Sequence, residues 1–122
     1  MDALLILAAC GLALIVIDWI AASRRASEDP YWIRVRKRAR ELGSDGCTGG
    51  GALFRDCCLE HDIHERTHRT PDGHPITEYE SDRRFLHCMQ RRSFVGWWTP
   101  IGWSRYAAVR IWRRWRAWRA GS

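Results

Sequence analysis

The sequence predicts an all-α fold: two antiparallel, disulfide-linked helices behind a glycine-rich loop, preceded by a transmembrane helix and followed by an amphipathic one. Three observations carry this. Residues 3–22 are apolar except for Asp18, about the length that a helix needs to cross a bilayer. Cys47, Cys57, Cys58 and Cys88 bracket a central stretch in which Gly46, Gly49, Gly50 and Gly51 lead into helical periodicity. The last acidic residue is Asp82, and from residue 83 to residue 122 there are ten arginines and no carboxylate.

A chain of 122 residues with 46% hydrophobic content supports one small domain once the first apolar segment is set aside. Such cores usually need disulfides, a metal or a partner. We divide the chain into an anchor (1–23), a basic linker helix (24–43), a central domain (44–93) and a Trp/Arg-rich tail (94–122). The formal charge of +6 is concentrated in the tail, which calls for an anionic partner. Six of the eight tryptophans also follow Phe94. Indole rings settle at the membrane-water interface, so the expected partner is a phospholipid membrane, preferably anionic, rather than nucleic acid. No protein partner is implied.

The first helix starts Met-Asp-Ala with no basic residue before the apolar run, and Ala-Ala-Ser followed by Arg-Arg is a poor cleavage site, so an uncleaved anchor is preferred to a signal peptide. Two rules disagree about its orientation. Arg24, Arg25 and the basic run from Arg34 to Arg40 all follow the helix, which favours a cytoplasmic domain, whereas disulfides favour an oxidising compartment. Ser27, Glu28 and Asp29 before Pro30 read as a helix start, with Ile33 and Val35 as the aliphatic anchors of a short basic helix ending at Gly43. Residues 45–51 form a loop, and a helix over 53–68 follows, with Cys57, His61, His64 and His68 on one face and Cys58 beside Asp62 on the next. Residues 69–75 are a turn. Thr77 to Glu80 matches a capping box for a helix reaching Arg92, whose Asp82, Phe85, Cys88 and Met89 share a side. After an aromatic connector from Phe94, Ser104 caps a last helix that gathers Ile111, Trp112, Trp115 and Trp118 opposite Arg110, Arg113, Arg114 and Arg116.

Four cysteines in a small domain suggest two disulfides, with a zinc site as the competing account. A Cys57 to Cys88 bond between antiparallel helices would leave His61 four residues beyond the bridge and Asp82 six residues before it, displacements of about 6 and 9 Å in the same direction. The carboxylate would then meet the imidazole. That arrangement suits a general base, with one ring nitrogen held by a carboxylate and the other free for a proton. A Cys47 to Cys58 bond would draw the glycine loop beside Asp62, and loop carbonyls with a carboxylate suit calcium.

Cys57-Cys58-Leu59-Glu60-His61-Asp62 resembles the Cys-Cys-x-x-His-Asp signature of secreted-type phospholipase A2 enzymes, and Asp45-Gly46-Cys47-Thr48-Gly49-Gly50 is similar to a shortened form of their calcium loop. The spacing from Asp82 to Cys88, with Phe85 between, is similar to their second helix, and in overall size the chain resembles the short bacterial and phage-type members. The resemblance covers roughly residues 43–89. It implies Ca²⁺-dependent hydrolysis of the sn-2 ester of glycerophospholipids: His61 activates water, Asp82 orients it, and Asp62 binds Ca²⁺ with carbonyls of Gly46, Thr48 and Gly50. The interval from Cys47 to Cys57 is shorter than in animal enzymes, which leaves Asp45 as a further ligand. Glu65 stands where many members carry a tyrosine that holds the aspartate, with Tyr79 as its expected substitute. Two other readings compete. Cys57, His61, His64 and His68, with another cysteine, would form a structural zinc site in a tethered binding module. Alternatively, membrane disruption by the tail is the whole activity.

Overall fold

A computed structural model describes residues 2–44, 46, 54–92 and 101–121; it consists of five helices among these residues, with no strand beyond an isolated bridge between Arg69 and Pro75. The expected all-α class is what these residues form. The loop positions Asp45, Cys47, Thr48 and Gly50 lie outside the described residues, as do residues 94–100 of the connector expected over 94–103; residues 101–103 are helical.

Helix α1 runs Ala3–Glu28, capped by the Asp2 carboxylate, which accepts from the Leu4 amide. It is long and apolar enough to cross a membrane, and Leu4, Leu5, Leu7, Leu12 and Leu14 are exposed along it. The helix continues past residue 23, where the sequence reading had ended the anchor. Residues 21–26 are Ala, Ser and Arg, none of which stops a helix, and the break waits for Asp29 before Pro30. The Asp29 side chain then accepts from the Tyr31 amide at 2.8 Å and opens α2, Pro30–Glu41, with proline at its first position. Val35 and Ala39 form its buried stripe, whereas Ile33 faces solvent.

Helix α3, Arg55–Thr67, ends on His68, which takes a left-handed conformation at φ 54°. A tight turn follows, with Gly73 at φ 89° and its amide bonded to the Thr70 carbonyl. Thr77 accepts from the Glu80 amide at 3.2 Å, one half of the expected capping box, and α4 runs Glu78–Arg92. The last helix, α5, spans Ile101–Gly121, so Ser104 lies inside it and does not cap it.

Helix α3 lies at the centre. One side packs Leu59 and Ile63 against Val35 and Ala39 of α2; the other packs Cys57 and Cys58 with Phe54, Phe85 and Met89. Helix α5 lies along α4, with Val109 against the second cluster. The end of α1 is tied down by Arg36, which donates to the Ser27 and Ala26 carbonyls and to Asp56 at 3.0 Å. Asp56 also pairs with Arg92, whose guanidinium lies over the Trp32 ring. Helices α1, α2, α3 and α4 are thereby joined through one ion-pair network.

Candidate functional site

Cys57 and Cys88 are disulfide-bonded, with Cα atoms 5.7 Å apart. Contacts between α3 and α4 run from 57 with 88, through 61 with 85 and 82, to 64 with 81, so the helices are antiparallel. His61 Nε2 lies 2.9 Å from Asp82 Oδ1. The roughly 3 Å mismatch along the helix axes is taken up by the side chains. The ring rests on Phe85 with centroids 4.7 Å apart, and Nδ1 has no hydrogen-bond partner among the described residues. His61, Asp62, Gly46, Cys58, Phe85 and Arg105 line a cleft of about 330 Å³.

Asp82 is fully buried. Burial alone would raise its pKa, but hydrogen bonds from His61, Arg113 and Arg110 hold it well below the usual carboxylate range. The arginines come from α5, and the sequence reading did not assign them to the site. Arg113, 7% exposed, donates from Nε and Nη2 to the two Asp82 oxygens at 2.7 Å each, a bidentate pair. It also bonds Glu65 through both Nη atoms and reaches Glu78 at 3.3 Å. Arg110 Nη1 lies 3.1 Å from Asp82 Oδ2. Desolvation opposes the Arg113 charge, yet its bonds to Asp82 and Glu65 raise its pKa further.

Two expectations change here. Tyr79 does not replace the missing tyrosine: it is exposed, and its ring lies beneath Arg83 and Arg110. Arg113 holds Asp82 instead. The last helix, expected to lie on the lipid surface, also packs against the domain along α4, and Arg113 turns inward while Arg114 and Arg116 stay exposed. The available signal was the acid-free run of ten arginines following a buried carboxylate that needed a counter-ion.

His61, Glu65 and Asp82 place ligand atoms within 4.8 Å of one another. With guanidiniums already bonded to both carboxylates, this cluster is a poor cation site. Asp62 is the better candidate: its carboxylate pairs with Arg66 at 3.1 Å at the rim of the cleft that Gly46 also lines. Gly46 has φ 108°, and an added Cβ would lie 3.3 Å from Arg55 Cγ, so a bare backbone is required there. A carboxylate with a neighbouring loop backbone fits a hard cation. Thr48 and Gly50, the other expected ligands, lie outside the described residues.

The zinc reading loses ligands. Cys57 and Cys88 are bonded to each other, and Cys58 is also disulfide-bonded, its expected partner Cys47 lying outside the described residues. His64 faces Ser81 at 3.2 Å; burial lowers its pKa to about 4, so it is a neutral core histidine. Compared with family models, with curated proteins and with solved structures, the chain matches none.

The Asp82 environment makes a prediction about acid stability. A carboxyl with a folded pKa below its unfolded one binds fewer protons in the folded chain. Its stabilising contribution is complete above its ordinary pKa and is lost as pH falls through that value toward the folded pKa. Wild type should therefore lose thermal stability steeply below about pH 4. In Asp82→Asn that part of the slope should vanish, as followed by circular dichroism melts across pH.

Proposed function

We propose that the chain is a membrane-anchored ester hydrolase of the histidine-carboxylate class, in which water activated by a general base is the nucleophile. Within that class we assign it a phospholipase A2 activity: Ca²⁺-dependent cleavage of the sn-2 ester of glycerophospholipids. The observation that carries this reading is the 2.9 Å contact between His61 Nε2 and the fully buried Asp82 beside the Cys57–Cys88 bridge, in a cleft that His61, Asp62 and Gly46 line together.

His61 Nδ1 takes a proton from water as the oxygen attacks the ester carbonyl. Nε2–H donates to Asp82, which fixes the ring and its tautomer, and Phe85 supports the ring plane. Because Arg113 and Arg110 already share the Asp82 charge, Asp82 acts more by orientation than by net charge. The imidazolium then returns its proton to the departing lysophospholipid alkoxide. Asp62, with the loop carbonyls of Gly46, Thr48 and Gly50, would hold Ca²⁺, which would supply positive charge for the carbonyl oxygen. Arg105, at the cleft edge, offers a cation to the lipid phosphate.

A bilayer substrate agrees with the rest of the chain. Helix α1 serves as the anchor, and Ile111, Trp112, Trp115 and Trp118, all exposed on α5, form an interfacial face. The disulfide favours the oxidising side of that membrane.

The test is fatty acid release from phospholipid vesicles by the full chain. His61→Gln is expected to lower the rate by at least about 10³-fold, the scale of general-base catalysis. EDTA should abolish release, and added Ca²⁺ should restore it. Activity that survives His61→Gln, or that ignores EDTA when Ca²⁺ is the only divalent ion, refutes the assignment.

A further inference from the structure

A cleft larger than the one at His61 lies on the other side of α4. It encloses about 530 Å³ between α2 and α4, and among its lining residues are Tyr31, Trp32, Glu60, Arg84, His87 and Arg91. Arg84, His87 and Arg91 recur at i, i+3 and i+7, so they form one stripe of α4. All three are exposed. Arg84 and Arg91 form no ion pair within 4 Å among the described residues, in contrast to Arg92, Arg110, Arg113 and Arg116. Arg84 and Arg91 lie two turns apart on this stripe, about 10 Å along the axis, so that both guanidiniums can reach one anion held between them.

Glu60 is the one carboxylate lining this cleft. It is nearly fully buried, bonded by the Tyr31 hydroxyl and attracted by Arg84, so it offsets only part of the positive charge that Arg84, Arg91 and Arg92 bring to the cleft. Burial also raises the Glu60 pKa, which weakens its competition with an incoming anion. The cleft floor is aromatic, formed by Tyr31 and Trp32 in edge-to-face contact.

Its location selects the source of the anion. Arg91 also lines a second depression, which includes Ala22, Arg25 and Ala26 of α1. These residues lie where the apolar run of α1 ends. A run of about 20 apolar residues covers the roughly 30 Å hydrocarbon core, so the next turn stands at headgroup level. The Arg36–Asp56–Arg92 network fixes α4 to that end of α1. The Arg91 end of the cleft is thereby held at the depth of lipid phosphates.

We infer that this α2–α4 cleft is a headgroup site for one anionic phospholipid, separate from the hydrolytic cleft, in which Arg84 and Arg91 grip the phosphate and the tyrosine-tryptophan floor carries the glycerol region. Guanidinium forks match phosphate oxygens in pairs, and the aromatic floor suits an amphiphile better than a free ion. A lipid held here orients the domain on its membrane and does not enter the reaction.

The full chain in mild detergent with EDTA, given equal phosphatidylglycerol and phosphatidylcholine, tests this by native mass spectrometry. Wild type is expected to retain one phosphatidylglycerol per chain in preference to phosphatidylcholine. Arg84→Gln/Arg91→Gln should lower that preference by roughly 25-fold, about fivefold for each arginine. Arg84→Lys/Arg91→Lys, which keeps the charges but not the forks, should retain part of it and guards against a folding artefact. His61→Gln should leave the preference unchanged, which keeps this result apart from the hydrolase assignment. Equal retention of the two lipids by wild type overturns the inference. So does an undiminished preference in the glutamine variant, a loss caused instead by Arg114→Gln in the tail, or full displacement by inorganic phosphate.

Discussion

Arg113→Met is expected to destabilise the domain by about 3–5 kcal/mol, the cost of stranding buried charge by removing one partner. Arg113 is 7% exposed and bonds Asp82 through two nitrogens and Glu65 through two. Without it, Asp82 keeps only His61 and the more exposed Arg110, and Glu65 loses the partner that holds it away from His61. Glu65 Oε1 already lies 3.9 Å from His61 Nε2, so the freed carboxylate would compete with Asp82 for the same ring nitrogen. Stability and hydrolysis should therefore fall together. In thermal melts the midpoint should drop by more than about 10 °C for a domain of this size. Arg113→Lys should recover only part of the loss, because one ammonium cannot form a bidentate pair with Asp82 while bonding Glu65. Arg114→Met, one residue away and exposed, should change stability by no more than about 0.5 kcal/mol. Equal effects at 113 and 114 would show that the contacts of Arg113 with Asp82 and Glu65 are energetically idle.

Cys57→Ser with Cys88→Ser should cost about 3–4 kcal/mol in the chain-entropy account, since the bond closes a 31-residue separation. The functional loss should exceed what stability predicts. The bond fixes the register of α3 against α4, and that register brings Asp82 to His61. We expect the doubly substituted chain, even at temperatures where circular dichroism finds it helical, to release fatty acid at least about 100-fold more slowly, as misplacement by about 1 Å can cost that much. Reduction of wild type with dithiothreitol, which also opens the Cys58 disulfide, should give losses at least as large. Full activity in a folded double variant would mean that the helix packing sets the register without the bond.

Much of this could be read from residue order because it depends on local rules. Apolar residues over 3–22 specify a membrane-length helix, Asp29-Pro30 starts a helix, and Asp-Gly between prolines makes a turn. The His61–Asp82 contact was also accessible, because one assumed covalent bond between two helices leaves only axial displacement to work out. The loop ligands rest on residues for which sequence is the only guide, apart from Gly46 and Asp62.

The sequence by itself determined the helical class, the membrane-length first helix, and a histidine and an aspartate at spacings that one cysteine pair brings together. Tertiary structure alone decided how Asp82 is held. Arg113 is 31 residues from Asp82 and 48 from Glu65, and nothing in their local patterns distinguishes it from Arg114. A helical wheel ranks arginines by direction around one axis, whereas burial depends on where that axis is laid. In this fold the packing of α5 on α4 turns position 113 toward two carboxylates, and the free energy of leaving them unpaired selects Arg113 as their partner.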